Sequence, residues 1–315
     1  MIAMRLVRLV VTLLVVTFLT SIMFELLPGD PALSLISTDT FNVTPEALEA
    51  AREELNLDEP VPLRFAMWLG DAVTGDFGTS FRTRQPVADA LWDRIPVTFQ
   101  LMVMAQAFAI GFALIVAPLA ALRPGRAFDR VTTTVSFGLL SVPAFIGALV
   151  LIYLVAVKLH WLPSTGFVPL AENPIESIKS LILPALALAT PEAAVYTRLL
   201  RAEMIATMRE DYILMARANG LPTWRILVRH ALRPSSFSLL TYAGITIGAL
   251  IGGSVIVESI FGLPGLGRLA VDAIGNRDFI TLQGVVALVT VGFVVVNFLV
   301  DLAYYLLDPR LRHAH

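Results

Sequence analysis

Two long stretches of the chain, residues 95–122 and 131–157, contain no charged residue. A helix needs about 20 apolar residues to cross the ~30 Å of hydrocarbon in a bilayer, so each stretch is long enough to span a membrane. Four further segments are apolar enough, or nearly so. The sequence therefore predicts an all-α integral membrane protein with six transmembrane helices, at residues 9–27, 97–122, 131–157, 181–200, 235–257 and 280–307.

The composition agrees with a membrane protein and gives no support to nucleic-acid binding. Hydrophobic residues make up 57% of the chain and charged residues 15%, and the net charge of -2 sums charges that are segregated along the chain. The absence of cysteine excludes disulfides, thiolate zinc sites and cysteine nucleophiles. We assign no metal site, because His313 and His315 are best interpreted as part of a polar tail.

The arginines indicate which side of the membrane each loop occupies. An even number of spans places both termini on one side, and short cytoplasmic loops carry an excess of Arg and Lys. Both termini, the loop between spans 2 and 3 and the region between spans 4 and 5 share this excess, with seven arginines between residues 198 and 233 alone. The sequence predicts cytoplasmic termini, an uncleaved anchor helix at residues 1–27 and a tail at residues 309–315.

The largest segment outside the predicted spans, residues 28–95, is acidic and is predicted to lie outside the cell. It contains twelve carboxylates against five arginines. Thr44 and Pro45 have the pattern of a helix start, with Thr44 as the N-cap. Its aromatic residues offer apolar surface to bury, which favours a small folded extracytoplasmic cap over the alternative of a disordered acidic loop.

The segment of residues 202–234, between spans 4 and 5, is basic and is predicted to form two short helices. The first covers residues 211–219 and ends at Gly220, which tolerates a left-handed backbone. Met215, Ala216 and Ala218 give this helix a slim side that fits a groove on another protein. The second helix carries three arginines at four-residue spacing, which we interpret as positive charge retained on the cytoplasmic side: Arg225, Arg229 and Arg233.

Several stretches of the chain resemble one family of transporters. DYILMARANGLPTWRILVRHALRPS resembles the EAA loop of ATP-binding-cassette importer permeases of the dipeptide and oligopeptide branch. FELLPGDPA, LNLDEPVPLRFAMWLGDAVTGDFGTSF, RIPVTFQL and GGSVIVESIFGLPGLGRLAVDAIGNRDF are similar to the B-type subunit of these importers and occur in the same order. The resemblance implies a type I importer transmembrane domain in the bacterial inner membrane, with a five-helix permease core at residues 96–308.

The resemblance also implies a mechanical role for residues 202–234. In such permeases this loop is a coupling helix that docks in a cleft of the ATPase. Ala216 and Gly220 match the last Ala and the Gly of the motif, whereas Leu214 stands where many importers carry a Glu, and Leu232-Arg233-Pro234 departs from the usual Leu-Pro ending. The residues expected to carry the coupling are Asp211, Tyr212, Met215, Ala216, Ala218, Gly220 and Leu221.

Partners follow from the resemblance and from a missing motif. A P-loop needs Gly-Lys-Ser/Thr, and neither lysine of the chain, Lys158 or Lys179, follows a glycine. The glycine-rich residues 262–267 are interpreted as a turn. We expect no cofactor in this chain and no catalysis by it. ATP and Mg²⁺ are expected on two ATPase subunits or one fused ATPase. A homologous C-type permease subunit is expected to complete a heterodimer, and an extracytoplasmic binding protein to deliver di- or oligopeptides. Relatives of such permeases also serve glutathione or nickel, and the few histidines and absent cysteines disfavour a metal substrate.

Small and ionisable residues within the spans suggest a pathway. Gly244, Gly248 and Gly252 stand four apart on one face of span 5, which allows another helix to approach closely. That face is predicted to meet the partner subunit, with packing inside the chain as the alternative. For Glu258, a role at the outer mouth of the pathway and a structural role are equally compatible with the sequence.

Glu192 supports the main alternative function. It lies deep in span 4 beside Pro191, where we predict a water-lined bend. A proton-coupled secondary transporter would use this carboxylate as its relay, although paired broken helices in inverted repeats are not evident. An intramembrane enzyme is disfavoured, because the spans contain no Ser-His, paired-Asp or His-Glu metal constellation.

Overall fold

The computed structural model describes residues 2–26, 58–80 and 82–307, together with the single positions 49 and 52. These residues form helices joined by turns, with one isolated β-bridge between Thr79 and Pro86. In chain order the helices are α1 (Ile2–Leu26), α2 (Val61–Thr74), α3 (Val87–Leu122), α4 (Ala127–Ser141), α5 (Ala144–Leu151), α6 (Pro174–Thr207), α7 (Asp211–Ala218), α8 (Thr223–Arg225), α9 (Arg233–Phe261), α10 (Leu266–Gly275) and α11 (Phe279–Leu307). Two π-helical segments continue α5 and join α8 to α9, at Ile152–Lys158 and Ile226–Leu232.

The helices confirm an all-helical membrane protein with three to five candidate spans. α3, α6 and the Phe279–Val300 part of α11 are each long and apolar enough to cross a bilayer. Two bent pairs of helices raise the number to five if each pair is one span. Within α1, the described apolar stretch is the shorter Val10–Ile22.

The predicted span at residues 131–157 consists of two helices that meet at a sharp bend. α4 ends at Ser141, and the axes before and after the break differ by 104°. Val142 is extended, with φ -95° and ψ 120°, because the ring of Pro143 disfavours helical geometry in the residue before it. A proline in an uncharged stretch thus divides what composition alone presents as one span.

The predicted span around Pro184 and Pro191, by contrast, is one continuous helix. α6 runs for 34 residues through both prolines. Its start is well defined: the side chain of Asn173 accepts hydrogen bonds from the backbone N–H groups of Ile175 and Glu176, and Pro174 occupies the first turn. The bend predicted beside Glu192 therefore does not interrupt the helix.

The chain divides into two compact units. The first comprises residues 1–98 and 264–295. Among its described residues, one apolar cluster is formed by the buried side chains of Val87, Leu91, Leu266, Leu269 and Val285. A chain of aromatic rings connects α1 to α2 and to the turn after it: Phe18 and Phe65 are 5.3 Å apart, Phe65 and Trp68 6.2 Å, and Trp68 and Phe77 6.5 Å.

The predicted cap of residues 28–95 is described in part. The proposed N-cap at Thr44 lies outside the described residues. α2 ends at Gly75 in a left-handed conformation, and residues 87–95 form the first turns of α3. The buried carboxylate of Asp278, at the start of α11, accepts hydrogen bonds from the hydroxyls of Ser80 (2.5 Å) and Thr281 (2.8 Å), which ties the turn after α2 to α11.

The second unit, residues 99–263 and 296–315, is built around α6. α6 contacts α4, α5 and α9. Many of its buried side chains are alanine, including Ala185, Ala187, Ala189 and Ala194, and small side chains let helix backbones approach closely. α6 leads directly into the segment 202–234, so its packing determines where that segment begins.

Candidate functional site

The first helix of the segment 202–234 ends as predicted at Gly220. α7 covers Asp211–Ala218, and Gly220 has a φ of +77°, in the left-handed region. The N–H of Leu221 donates to the carbonyl of Ala216 (3.2 Å), and the N–H of Gly220 donates to that of Arg217 (3.0 Å). These two bonds define a Schellman motif, which satisfies carbonyls at the helix end and reverses the chain.

α7 is held against the following helix by a small apolar cluster. Ile213, Ala216 and Ile226 are buried together, and Met208 and Leu221 pack against them. Ala216 therefore lies on the inner side of α7, and not on the slim outer side to which the sequence assigned it. Its small side chain instead allows α7 to approach the π-helical segment closely.

The outer side of α7 remains open. Met215 is 67% exposed and Leu214 51%, and Asp211 and Ala218 are exposed as well. Positions 211, 214, 215 and 218 follow the three- and four-residue spacing of one helix face. We refer to Asp211, Leu214, Met215 and Ala218 as the outer face of α7. Apolar residues exposed together on a short polar helix are typical of a protein contact.

Tyr212 ties α7 to the π-helical segment Ile226–Leu232. Its hydroxyl donates to the backbone carbonyl of His230 at 3.3 Å. Burial and the neighbouring carboxylate of Glu210 raise the pKa of Tyr212, which keeps the hydroxyl protonated as a donor.

Polar contacts that the sequence did not predict join the helices at the two ends of the segment 202–234. The hydroxyls of Thr207, at the end of α6, and Ser235, at the start of α9, are 3.0 Å apart. Arg201 forms a two-point ion pair with Asp129: Nη2 donates to Oδ2 at 2.7 Å, and Nε pairs with Oδ1. Asp129 Oδ2 also accepts from the N–H of Gly125 at 2.7 Å.

The Asp129–Arg201 pair joins the start of α4 to the end of α6. The side chain of Asp129 is 4% exposed and that of Arg201 24%, so the pair is largely desolvated. The two residues are 72 positions apart, which hides the pairing from local sequence patterns. The available signal was a single carboxylate among the arginines of the loop at residues 123–130.

The second helix of the segment presents its arginines to an open groove. Arg225, Arg229 and Arg233 line it together with Trp224 and Val228. The guanidinium of Arg225 lies 5.6 Å from the centre of the Trp224 ring. The four-residue spacing thus brings the three cations to one surface, in agreement with the helical pattern.

The three glycines of span 5 lie in different surroundings. A Cβ at Gly244 would be 2.5 Å from Cγ1 of Val300 on α11, so Gly244 is packed inside the chain. Gly248 lies where α9 bends, by 59°, between residues 248 and 250. Gly252 is exposed, and no atom in the described part of the chain lies within 4 Å of such a Cβ. Of the three, Gly252 offers the open surface that a partner helix requires.

Glu258 and the glycine-rich residues after it form a helix end. Glu258 is fully buried, and its backbone carbonyl accepts from the N–H of Leu263 at 2.9 Å. Gly262 is left-handed with a φ of +66°. α10 then begins at Leu266, so the turn covers residues 262–265 and the last two residues of the predicted turn belong to the helix. Within the described residues, no group of three or more His, Asp or Glu side chains could hold a metal ion.

Comparison with known proteins gives two family matches that follow each other along the chain. Residues 1–102 match the N-terminal region of binding-protein-dependent transport system membrane components, and residues 109–313 match the inner membrane component itself. A Brucella abortus protein named provisionally as a peptide transport system permease is 40% identical over 98% of both chains. A Sinorhizobium fredii protein named provisionally as a peptide ABC transporter permease is 37% identical over 98% of both. The glutathione transport system permease of Escherichia coli K12 is 34% identical over 98% of this chain and 97% of its own.

Proposed function

The chain belongs to the family of binding-protein-dependent transport system inner membrane components, and from that premise we propose that it forms half of the translocation pathway of an importer for di- and oligopeptides. The observation that carries the substrate class is the full-length similarity to permeases named for peptides. The relative named for glutathione fits the same class, since glutathione is itself a small peptide.

The chain is a transport component and not the ATPase. Its energy must therefore come from other subunits. We infer that two ATPase subunits, or one fused ATPase, bind ATP and Mg²⁺, that a homologous C-type permease subunit supplies the other half of the pathway, and that an extracytoplasmic binding protein delivers the peptide. Support comes from the family, whose members work with a binding protein in transport systems.

We propose that α7 is the coupling helix and that its outer face docks on the ATPase. The exposed apolar side chains of Leu214 and Met215 support this role, because they leave a contact surface that no described residue covers. With Leu214 in place of the usual Glu, docking depends on shape and apolar contact. Ala216, Gly220 and Leu221 act from beneath by keeping α7 on the π-helical segment.

We propose six spans with both termini in the cytoplasm. α1, the bent pair α4–α5, the bent helix α9 and the three long helices provide six candidates. The arginines near the Asp129–Arg201 pair and along the second helix of the segment support a cytoplasmic position for these ends.

Reconstituted transport tests the proposal directly. The complete complex in vesicles should accumulate a labelled peptide only with ATP at the ATPase side and the loaded binding protein at the other side. A complex without the binding protein is the control for leakage. Uptake driven by a pH gradient alone would contradict the proposal and favour proton coupling through Glu192. Mass spectrometry of ligands bound to the purified binding protein distinguishes peptides in general from glutathione.

A further inference from the structure

Glu192 is an ionisable residue within a proposed membrane span. ATP-driven import of peptides does not by itself require a carboxylate at this position. Along α6 the charged residues that flank it are Lys179 and Arg198. At a rise of 1.5 Å per residue these lie about 28 Å apart along the helix, close to the thickness of the hydrocarbon layer. Glu192 lies between them, about 9 Å from Arg198 and about 20 Å from Lys179.

Around Glu192 the second unit assembles a polar cluster from three helices. Glu192 lies one turn before Tyr196 on α6, so the two side chains share one face of that helix. The hydroxyls of Tyr196 and Thr246 are 2.5 Å apart, and the hydroxyl of Tyr196 also donates to Oε1 of Gln106 at 3.0 Å. Gln106 in turn donates through Nε2 to the backbone carbonyl of Ala243 at 3.0 Å.

This cluster contains more acceptors than donors. Each hydroxyl carries one proton, and a carboxylate has about four lone-pair sites. The proton of Tyr196 is engaged by Gln106, and Thr246 has the carbonyl of Ala243 as a further acceptor at 3.2 Å. Among the described residues no Lys, Arg or His forms an ion pair with Glu192. The cluster therefore lacks a cation.

The exposed side of the Glu192 carboxylate is the side from which a cation outside this chain can approach. The carboxylate is only partly buried by its own chain. A charged group exposed to lipid is costly, so in the assembled transporter the open side faces a water-filled path or the second permease subunit. Tyr242, packed edge-on against Tyr196 with ring centres 6.0 Å apart, is also partly open and adds an aromatic ring to this cluster.

We propose that Glu192, on the face of α6 that also carries Tyr196, is a subsite of the translocation path that receives the α-ammonium group of the peptide during its passage. Most free peptides carry this α-ammonium group whatever their side chains are. One carboxylate can therefore bind peptides of many different sequences. The subsite rests on the proposed function as a peptide importer. It replaces the role of proton relay for Glu192 with that of a transient counter-ion.

The test compares two forms of one neutral tripeptide, with a free and with an acetylated amino terminus. Each is first loaded onto the binding protein, and loading is measured, so that delivery is equal. Uptake is then followed in vesicles that contain the full complex. In the unaltered protein the free peptide should be taken up faster. Glu192→Gln should lower uptake of the free peptide about fivefold, as expected for one partly desolvated ion pair, and leave the acetylated peptide unchanged.

Glu203→Gln is the matched control, because it makes the same chemical change three turns further along α6 and outside the uncharged stretch. It should alter neither peptide. Glu192→Asp should retain part of the preference. Subunit assembly and basal ATP hydrolysis of each variant show whether the complex is intact.

Three results would overturn the inference. An equal loss for both peptides would indicate a structural role or a pairing with the second permease subunit. Unchanged uptake of both would show that the carboxylate meets no ammonium group. Loss of the preference in Glu203→Gln as well would remove the assignment to this position. If the unaltered complex moves neither peptide, the proposed function fails instead.

Discussion

Gly220 shows how one backbone conformation shapes the contact surface. Its φ of +77° lets the chain leave α7 through two hydrogen bonds and turn at once into the second helix. No atom of the described residues lies within 4 Å of where a Cβ would stand, so space is not the constraint at this position. The constraint is the left-handed backbone, which costs residues with a side chain about 1–2 kcal/mol and β-branched residues more.

Gly220→Val should therefore uncouple transport from ATP hydrolysis. The strained turn would shift α7 on its apolar cluster, and peptide moved per ATP hydrolysed should fall severalfold while the complex still assembles. Gly275→Val is the control, because Gly275 also has an open surrounding but lies in α10 with an ordinary φ. Transport at the unaltered rate in Gly220→Val would show that the position of α7 is not part of coupling.

At the scale of helices, the link between α4 and α6 is the feature that local patterns did not reveal. Asp129 is nearly fully buried, so removing its arginine leaves a desolvated carboxylate whose one remaining partner within the described part of the chain is the N–H of Gly125. Removing one partner of a buried ion pair costs more free energy than forming the pair gains, because the remaining carboxylate is left buried and poorly hydrated. The contact anchors α6 at Arg201, just before the segment 202–234 begins.

Arg201→Gln should lower the stability of the purified complex by about 2 kcal/mol, below the value for a fully buried pair because the arginine is partly exposed. The midpoint of thermal unfolding in detergent measures this. Arg198→Gln is the matched control on the same helix: its guanidinium stacks 4.2 Å from the ring of Phe137, and its loss should cost about 0.5–1 kcal/mol. An equal effect of the two variants would indicate that the ion pair adds nothing to stability.

At the scale of the whole molecule, the proposed topology places α2 and α7 on opposite sides of the membrane. Both carry a highly exposed residue: Val73 is 81% exposed on α2, and Met215 is exposed on the outer face of α7. Because the protein has no cysteine, a single introduced thiol can be labelled without background.

A membrane-impermeant maleimide should label Val73→Cys in intact spheroplasts and Met215→Cys only after the membrane is opened. The unaltered protein, which has no thiol, is the control for non-specific reaction. The six-span arrangement places an odd number of spans between α2 and α7, which puts the two helices on opposite sides of the membrane. Labelling of both positions from outside would contradict that arrangement.

Much of the fold was predictable from composition and local pattern. Uncharged stretches long enough to cross a bilayer identify a helical membrane protein, because charge in hydrocarbon is costly at any position and needs no knowledge of neighbours. The turn at Gly220 was also predictable, since a glycine directly after a helix favours the left-handed conformation irrespective of tertiary contacts. The order of motifs was sufficient to indicate the family.

Three features depended on tertiary structure: the path of the chain at two prolines, the burial of Ala216, and the polar clusters. The course of the chain at Pro143 and Pro191 was not readable from proline alone: the chain breaks at the first, while α6 continues through the second, surrounded by neighbouring helices. Burial of Ala216 depended on the chain folding back over α7.

The same holds for the polar clusters. Asp129 meets Arg201 and Tyr196 meets Thr246 only after helices distant in sequence pack together. The sequence by itself determined that this protein is a helical membrane component of a transport family and where its exposed loop helix ends, because these depend on hydrophobicity and local backbone preference. Only the tertiary structure decided which charges are paired and which carboxylate remains open, because pairing depends on distances between separate helices.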